Sequence, residues 1–339
     1  MNALMVIVAG FSLSLTDPVS VDELLTTAKS LSAARTQVGM ESAVALLEKS
    51  LEQHSGEARV HSRLSELYGE LAYWGFKAPK EFSRKCKLAA FKATELHASS
   101  AEALAAMGYS SLYVDFDFVG AEASLKKAIE RKGDYAPAQR WYSRCLVCMG
   151  KFKEAQSAAQ KAVAIEPKSA AALIDAGWAF FAAGEFDPAA DHFRRAIEAD
   201  PSSSVGYMYY GMTQLKQSKK PEGFASLEKG FDASGQAVWA AARLGAGRAV
   251  AGNPKDGEEA LTQVSKLGAG NFVSAYDMAM IYAALGEKET AFTWLDRAMT
   301  ERSPRLMDLR FDPFFYRLHS DPRFKAILRQ LNLPELTTP

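Results

Sequence analysis

The sequence predicts an all-α solenoid of about eight stacked helical hairpins, closed by a helical cap at the C-terminus. Three observations carry that expectation. The stretch from Ala170 to Ser203, 34 residues long, reads as one helix, a tight turn at Gly184, a second helix and a stop at Pro201. Gly177, Ala189 and Ala196 are small enough for two helices to approach closely, and Phe180, Phe186 and Phe193 fill the space beside that approach. The same register then recurs from about Leu24 to Arg305. One hairpin cannot bury its own apolar face, so the recurrence means neighbours that share a continuous core.

Composition agrees with a folded chain. Of 339 residues, 48% are hydrophobic and 24% charged, enough to bury a large core without a disordered tract. Forty basic residues balance forty acidic ones, so no net field favours nucleic acid or an anionic membrane. Three cysteines, Cys86, Cys145 and Cys148, are an odd count that suits a reducing compartment, hence a cytoplasmic expectation.

Taken in order, residues 1–23 form an N-terminal segment, residues 24–305 the solenoid and residues 306–339 the cap. Ala3 to Leu15 is an uncharged, mostly apolar run, shorter than the ~20 residues of a membrane helix. It lacks a clear basic start and cleavage site. Three readings stay open: an element packed on the core, an export signal or membrane remnant, and a disordered leader. Membrane association or export through this run is therefore the alternative to the cytoplasm.

Residues 24–57 show only Ala43, Leu47 and a late stop at Ser55-Gly56. Residues 58–100 carry Leu64, Tyr68 and Ala93 but are stretched by an insertion, Trp74 to Glu81. In 101–135, Gly108, Ala121, Leu125 and Ala128 keep the register, while Asp115 to Phe118 adds one residue at the turn. Residues 136–169 match well through Gly150, Phe152, Ala155, Ala162 and Pro167. In 204–237, Ser218, Lys220 and Gly223 stand where glycine, an aromatic and alanine are wanted, so a looser turn is expected. Residues 238–271 begin their second helix at Pro254, and 272–305 keep Gly286, Ala291 and Leu295. Beyond them, Asp312-Pro313 and Asp321-Pro322 each place a capping carboxylate before a first-turn proline, predicting two short helices that end near Leu331. Leu306, Leu309, Phe311, Phe314, Phe315, Leu318, Phe324 and Ile327 are apolar enough to cover the last hairpin's exposed face.

The 34-residue hairpin with these small, aromatic and proline positions resembles the tetratricopeptide repeat, which implies a right-handed superhelix. Tyr276 to Ala298, Phe311-Asp-Pro, and His319-Ser-Asp-Pro-Arg-Phe324 are similar to the end of the repeat half of bacterial sensory proteins. The Trp74-Gly-Phe-Lys-Ala-Pro insertion and the Tyr113 to Glu122 turn resemble that group's early repeats. In that group a winged-helix, serine/threonine kinase or nucleotide cyclase domain usually comes first. None precedes Leu24 in this sequence, so the resemblance implies a sensory or scaffolding half acting on a separate regulator.

Catalytic signatures are missing. No Gly-x-Ser-x-Gly, His-Glu-x-x-His or Gly-x-x-x-x-Gly-Lys motif occurs. Gly245-Ala-Gly247 and Gly268-Ala-Gly270 lack the third glycine of a dinucleotide loop. Cys145-Leu-Val-Cys148 lies near a helix end, where the dipole does not activate a thiol, and has no second pair to complete a zinc site. His54, His61, His97, His192 and His319 are scattered. The expectation is no enzyme, no cofactor and no metal, with an enzyme of unrecognised site as the last alternative.

In the family resembled, the first helix of each hairpin lines the concave side. Its lining positions here are Tyr109, Leu112 and Tyr113; then Arg140, Arg144, Val147 and Cys148; then Ile174, Trp178 and Phe181; then Met208, Met212, Leu215 and Lys216; then Trp239; and last Tyr276 and Met280. A patch this apolar is seldom left open on a soluble monomer. The expected function is a protein-interaction scaffold whose groove holds an apolar or amphipathic segment of a partner or of itself. Arg140 and Arg144 would fix orientation, and Ala3 to Leu15 is a candidate occupant. Self-association is a further expectation, and no small-molecule substrate is indicated.

Overall fold

The computed structural model describes residues 19–250 and 254–334. Eight helical hairpins follow one another among them: α1 (Val21–Ser32) with α2 (Gln37–Ser50), α3 (Ala58–Tyr73) with α4 (Pro79–Leu96), and α5 (Ala101–Ser110) with α6 (Phe118–Arg131). Next come α7 (Ala136–Cys148) with α8 (Phe152–Ile165), α9 (Ala170–Ala182) with α10 (Phe186–Ala199), and α11 (Ser204–Lys216) with α12 (Lys220–Ala233). The last two are α13 (Val238–Val250) with α14 (Pro254–Leu267), and α15 (Ala275–Leu285) with α16 (Lys288–Glu301). Two 3-10 turns, Pro304–Asp308 and Pro313–Leu318, then lead into α17 (Pro322–Gln330). The expected all-α solenoid, its register and its number of hairpins are all present among the described residues.

Local chemistry sets the ends of these helices. Ser20, Ser100, Ser169 and Ser203 each accept a hydrogen bond from a first-turn amide, and Ser20 with Glu23 forms a reciprocal capping box. Hairpin turns close by a left-handed residue: Gly150 at φ 73°, Gly184 at φ 80° and Gly286 at φ 87°. Inside the α9–α10 hairpin, a Cβ at Gly177 would fall 2.6 Å from the Phe193 ring, so glycine sets the interhelical distance.

Two turn expectations meet different outcomes. The extra residue between α5 and α6 is absorbed by a π-helical turn, Ser111–Asp115, which takes up one residue without losing register. The looser turn expected around Ser218 is corrected. Ser218 adopts φ 62°, and its amide and that of Lys219 bond back to Leu215 and Gln214 at 3.1 and 2.9 Å. At Gly184 the equivalent pair measures 3.0 and 2.9 Å, so serine takes the glycine conformation instead of loosening the turn.

First helices pack on first helices along the series α3, α5, α7, α9, α11, α13 and α15, making an inner layer wrapped by the second helices. The superhelix closes on itself. The α3–α4 connection carries Trp74 to within 4.9 Å of the Trp239 ring on α13, and a Cβ on Gly75 would lie 3.3 Å from that of Ser274, beside α15. Ala3 to Leu15 lies outside the described residues.

Candidate functional site: a filled channel and its open mouth

The lining residues expected from the sequence do come together on the inner layer, but the open apolar groove is corrected. Tyr109, Leu112, Tyr113, Arg144, Trp178, Phe181, Met208, Met212, Trp239, Tyr276 and Met280 are all buried, as are Val147, Cys148 and Ile174. Leu215, Lys216 and Arg140 keep partial exposure. The residues over them are the chain's own 304–318, expected instead to cap the last hairpin. Part of that segment also meets the last hairpin as expected, since Pro313–Leu318 packs on α15, with Phe315 5.2 Å from the Tyr276 ring and Arg317 donating to the Ala284 carbonyl at 2.9 Å. To this α17 adds Arg323, paired with Glu289 at 2.8 Å and 4.0 Å from the Phe292 ring.

The reason is chemical complementarity. Leu306, Met307, Leu309, Phe314, Phe315 and Leu318 are each at most 3% exposed. Their charged neighbours meet opposite charges that the inner helices point inward. Asp308 accepts from Arg144 at 3.1 Å and from the Tyr73 hydroxyl, which Arg144 also reaches at 3.0 Å. Asp312 accepts from Arg243 at 3.3 Å and from Tyr276 at 3.1 Å, while capping the Phe314 amide. Arg305 donates to Asp277 at 3.0 Å between the rings of Tyr73 and Tyr276. Burial opposes the charge on Arg144, yet Asp308 and the surrounding tyrosines hold it firmly protonated. Burial also raises the carboxyls of Asp277 and Asp312 and keeps Tyr73 and Tyr276 neutral.

Magnitudes decide what this segment is. Burying six large apolar side chains contributes on the order of 10 kcal/mol. That gain is of the same size as the entropy cost of ordering the segment, about 1–2 kcal/mol per residue, so it holds the segment in place only together with the ion pairs. The segment is buried as core residues are.

The channel is incompletely filled at the end nearest α1. There Tyr73, Trp74, Tyr109, Tyr113 and Trp141 border a cavity of about 30 Å³, with Arg35, Glu70, Arg140 and Asp175 at its rim. Arg140 is held by Asp175 at 2.7 Å. Arg35 stands 3.8 Å from Glu70, beyond hydrogen-bond reach. Burial raises the Glu70 pKa, and the buried Tyr109 hydroxyl has no hydrogen-bond partner. Of the expected site residues, Tyr109, Tyr113, Arg140 and Arg144 reach this mouth; Trp178, Met212 and Tyr276 line the filled part.

Sequence reasoning missed Arg35, Glu70, Asp175, Arg243 and Asp277. The signal was there: Arg144, Arg243 and Asp277 are charges on otherwise apolar first-helix faces, matched by Asp308, Asp312 and Arg305 in an apolar tail, while Asp175 is matched by Arg140 on the neighbouring first helix. The three cysteines are free and buried. Burial pushes Cys86 and Cys145 up to about 12 and Cys148 higher than its ordinary value. Among the described residues no group of His, Cys, Asp and Glu assembles a metal site, and no helix is long and apolar enough to cross a membrane.

A tetratricopeptide repeat family model matches residues 148–208. The architecture is that of a tetratricopeptide solenoid in solved structures as well. A chain in the crystal structure of the APC/C hetero-tetramer Cut9-Hcn1 superposes with a TM-score of 0.62 at 16% identity, over 92% of this chain and 56% of that one. The present chain thus spans little more than half of that relative's length. TTC0263, a thermophilic tetratricopeptide protein of Thermus thermophilus, aligns over 61% of this chain and 100% of its own, at 16% identity and TM-score 0.46. YrrB, a tetratricopeptide protein with an unusual peptide-binding site, aligns over 57% and 95%, at 20% identity and TM-score 0.37. No curated protein matches the sequence.

Proposed function

We propose that this chain is a non-catalytic protein-interaction scaffold whose concave channel is permanently filled by its own residues 304–318, and whose partner site is the mouth of that channel. The observation that carries the reading is the contrast along one channel. Where the tail lies, the space is filled and Asp308, Asp312 and Asp277 each have an arginine partner; at the mouth a small cavity is left between buried aromatic walls, and Arg35 and Glu70, 13% and 15% exposed, face each other without a hydrogen bond. An extended peptide that lays one or two side chains into the mouth fits this geometry, and a whole helix along the channel does not. The three buried thiols suit a reducing compartment.

Hydrogen exchange with and without a captured partner tests this. Protection is expected in α3, α5 and α7 around the mouth, and protection confined to the outer helices α4 and α10 would remove the mouth from consideration.

A second reading keeps the site and changes the partner. The segments that resemble bacterial sensory proteins, Trp74 to Phe76 and Phe311-Asp-Pro, are also segments that close the channel. A regulatory half acting on a separate kinase, cyclase or transcription regulator is the function they favour, and finding such a protein among the captured partners separates it from a general scaffold.

A further inference from the structure

We propose that the mouth of the channel is a receptor for one cationic side chain, a guanidinium or ammonium group of a partner peptide, and that Arg35 is the chain's own displaceable occupant of it. This rests on the mouth being the partner site. Arg35 enters from the α1–α2 turn, where it holds a left-handed φ of 51° without being glycine. Its guanidinium lies 5.7 Å from the Trp74 ring centroid and 3.8 Å from Glu70, so it sits in the place of a bound cation without a hydrogen bond to the carboxylate.

Glu70 accepts no side-chain hydrogen bond from any described residue, and the other acids are engaged. Asp175 takes Arg140 at 2.7 Å, and Asp308 takes Arg144 and Tyr73. Withdrawal of Arg35 removes the cation nearest Glu70, with Arg63 and Arg140 farther off, and an incoming cation replaces it and favours the ionised carboxylate against the burial that raises its pKa. Trp74 presents its ring to a cation, as Arg35 over it shows, and Tyr109 and Trp141 line the same cavity beside the paired Arg140 and Arg144. A cavity of about 30 Å³ has room for the tip of one side chain and not for a helix.

N-acetyl-arginine amide is the probe, titrated by calorimetry and tryptophan fluorescence against the intact chain, Arg35→Ala and Glu70→Gln. Removal of the resident cation is expected to tighten binding by about tenfold over the wild-type chain, and Glu70→Gln to abolish it. The uncharged isostere N-acetyl-citrulline amide is expected not to bind Arg35→Ala. Absence of arginine binding to Arg35→Ala, or equal binding of citrulline, overturns the proposal. Arg35→Ala must retain the wild-type circular dichroism, and the citrulline comparison on that variant decides the matter even if Glu70→Gln fails to fold. A negative probe result with partner protection still centred on the mouth would sink the cation receptor alone and leave the scaffold reading standing.

Discussion

The filled channel and its mouth are built from the same pairings of arginine, carboxylate and aromatic ring, and they differ most plainly at two carboxylates, Asp308 and Glu70, although Arg243 Nε, Arg305 Nε and Nη2 and Asp277 Oδ2 in the filled part also lack a hydrogen-bond partner among the described residues. Around Asp308 the carboxylate has Arg144 and Tyr73, and Arg144 stacks 4.9 Å over Trp178. Around Glu70 no cation among the described residues is within hydrogen-bond reach: Arg35 stands at 3.8 Å, and Arg63 and Arg140 act on it from beyond ion-pair distance. Complete pairing makes a charge structural, because nothing in the site gains by exchanging partners; incomplete pairing leaves a group with something to gain from a ligand.

The sharpest way to break that contrast is to remove one member of a finished pair. Arg144→Met leaves Asp308 buried without its charge partner, and a loss of about 3–5 kcal/mol in chemical denaturation is expected. Arg144→Met with Asp308→Leu should regain much of it, since two apolar groups need no pairing. Next comes the clasp: Trp74→Ala removes the ring against Trp239 and should cost about 3 kcal/mol, with a larger radius of gyration by X-ray scattering as the superhelix opens.

A smaller effect is expected at the tail's far end. Burial, with Arg310 and Lys216 nearby, pushes the His319 imidazolium from 6.5 down to about 4. Between those values the unfolded chain binds a proton that the native chain does not, so this histidine makes stability fall as pH drops through the window. His319→Gln should flatten that acid limb by about 1–2 kcal/mol, allowing for solvent at this half-buried site. The smallest is a gain: Ser218→Gly relieves a left-handed serine and should raise stability by about 0.5 kcal/mol, read as a higher midpoint at unchanged m-value.

These cases also mark what could be read from the sequence. Gly177 with Phe193, the serine caps and the proline starts of the tail turns are local, and local chemistry writes them plainly. Ser218 misled because serine was read as loosening a turn whose hydrogen bonds hold it in the glycine conformation. The destination of residues 304–318 was illegible for another reason. Arg144 and Asp308 are 164 positions apart, and no periodicity connects a tail to the faces it will meet. An apolar tail and an apolar groove were both visible, each assigned a separate cover, when each covers the other. Tyr109, Tyr113 and Arg140 could be placed on the inner layer because they follow the repeat; Arg35 and Glu70 could not be singled out, because the proposal made for them rests on what they fail to pair with.

Native-state hydrogen exchange of the intact chain tests the central claim most directly. The amides of Leu306, Leu309 and Phe311 donate to Ser303, Leu306 and Asp308 within the channel segment. If that segment is core, these amides exchange only by global unfolding, with the same opening free energy and denaturant dependence as the inner helix α9. Exchange through a separate, lower-energy opening of residues 304–318, with α9 still protected, would show a detachable occupant and return the whole concave channel to partner binding.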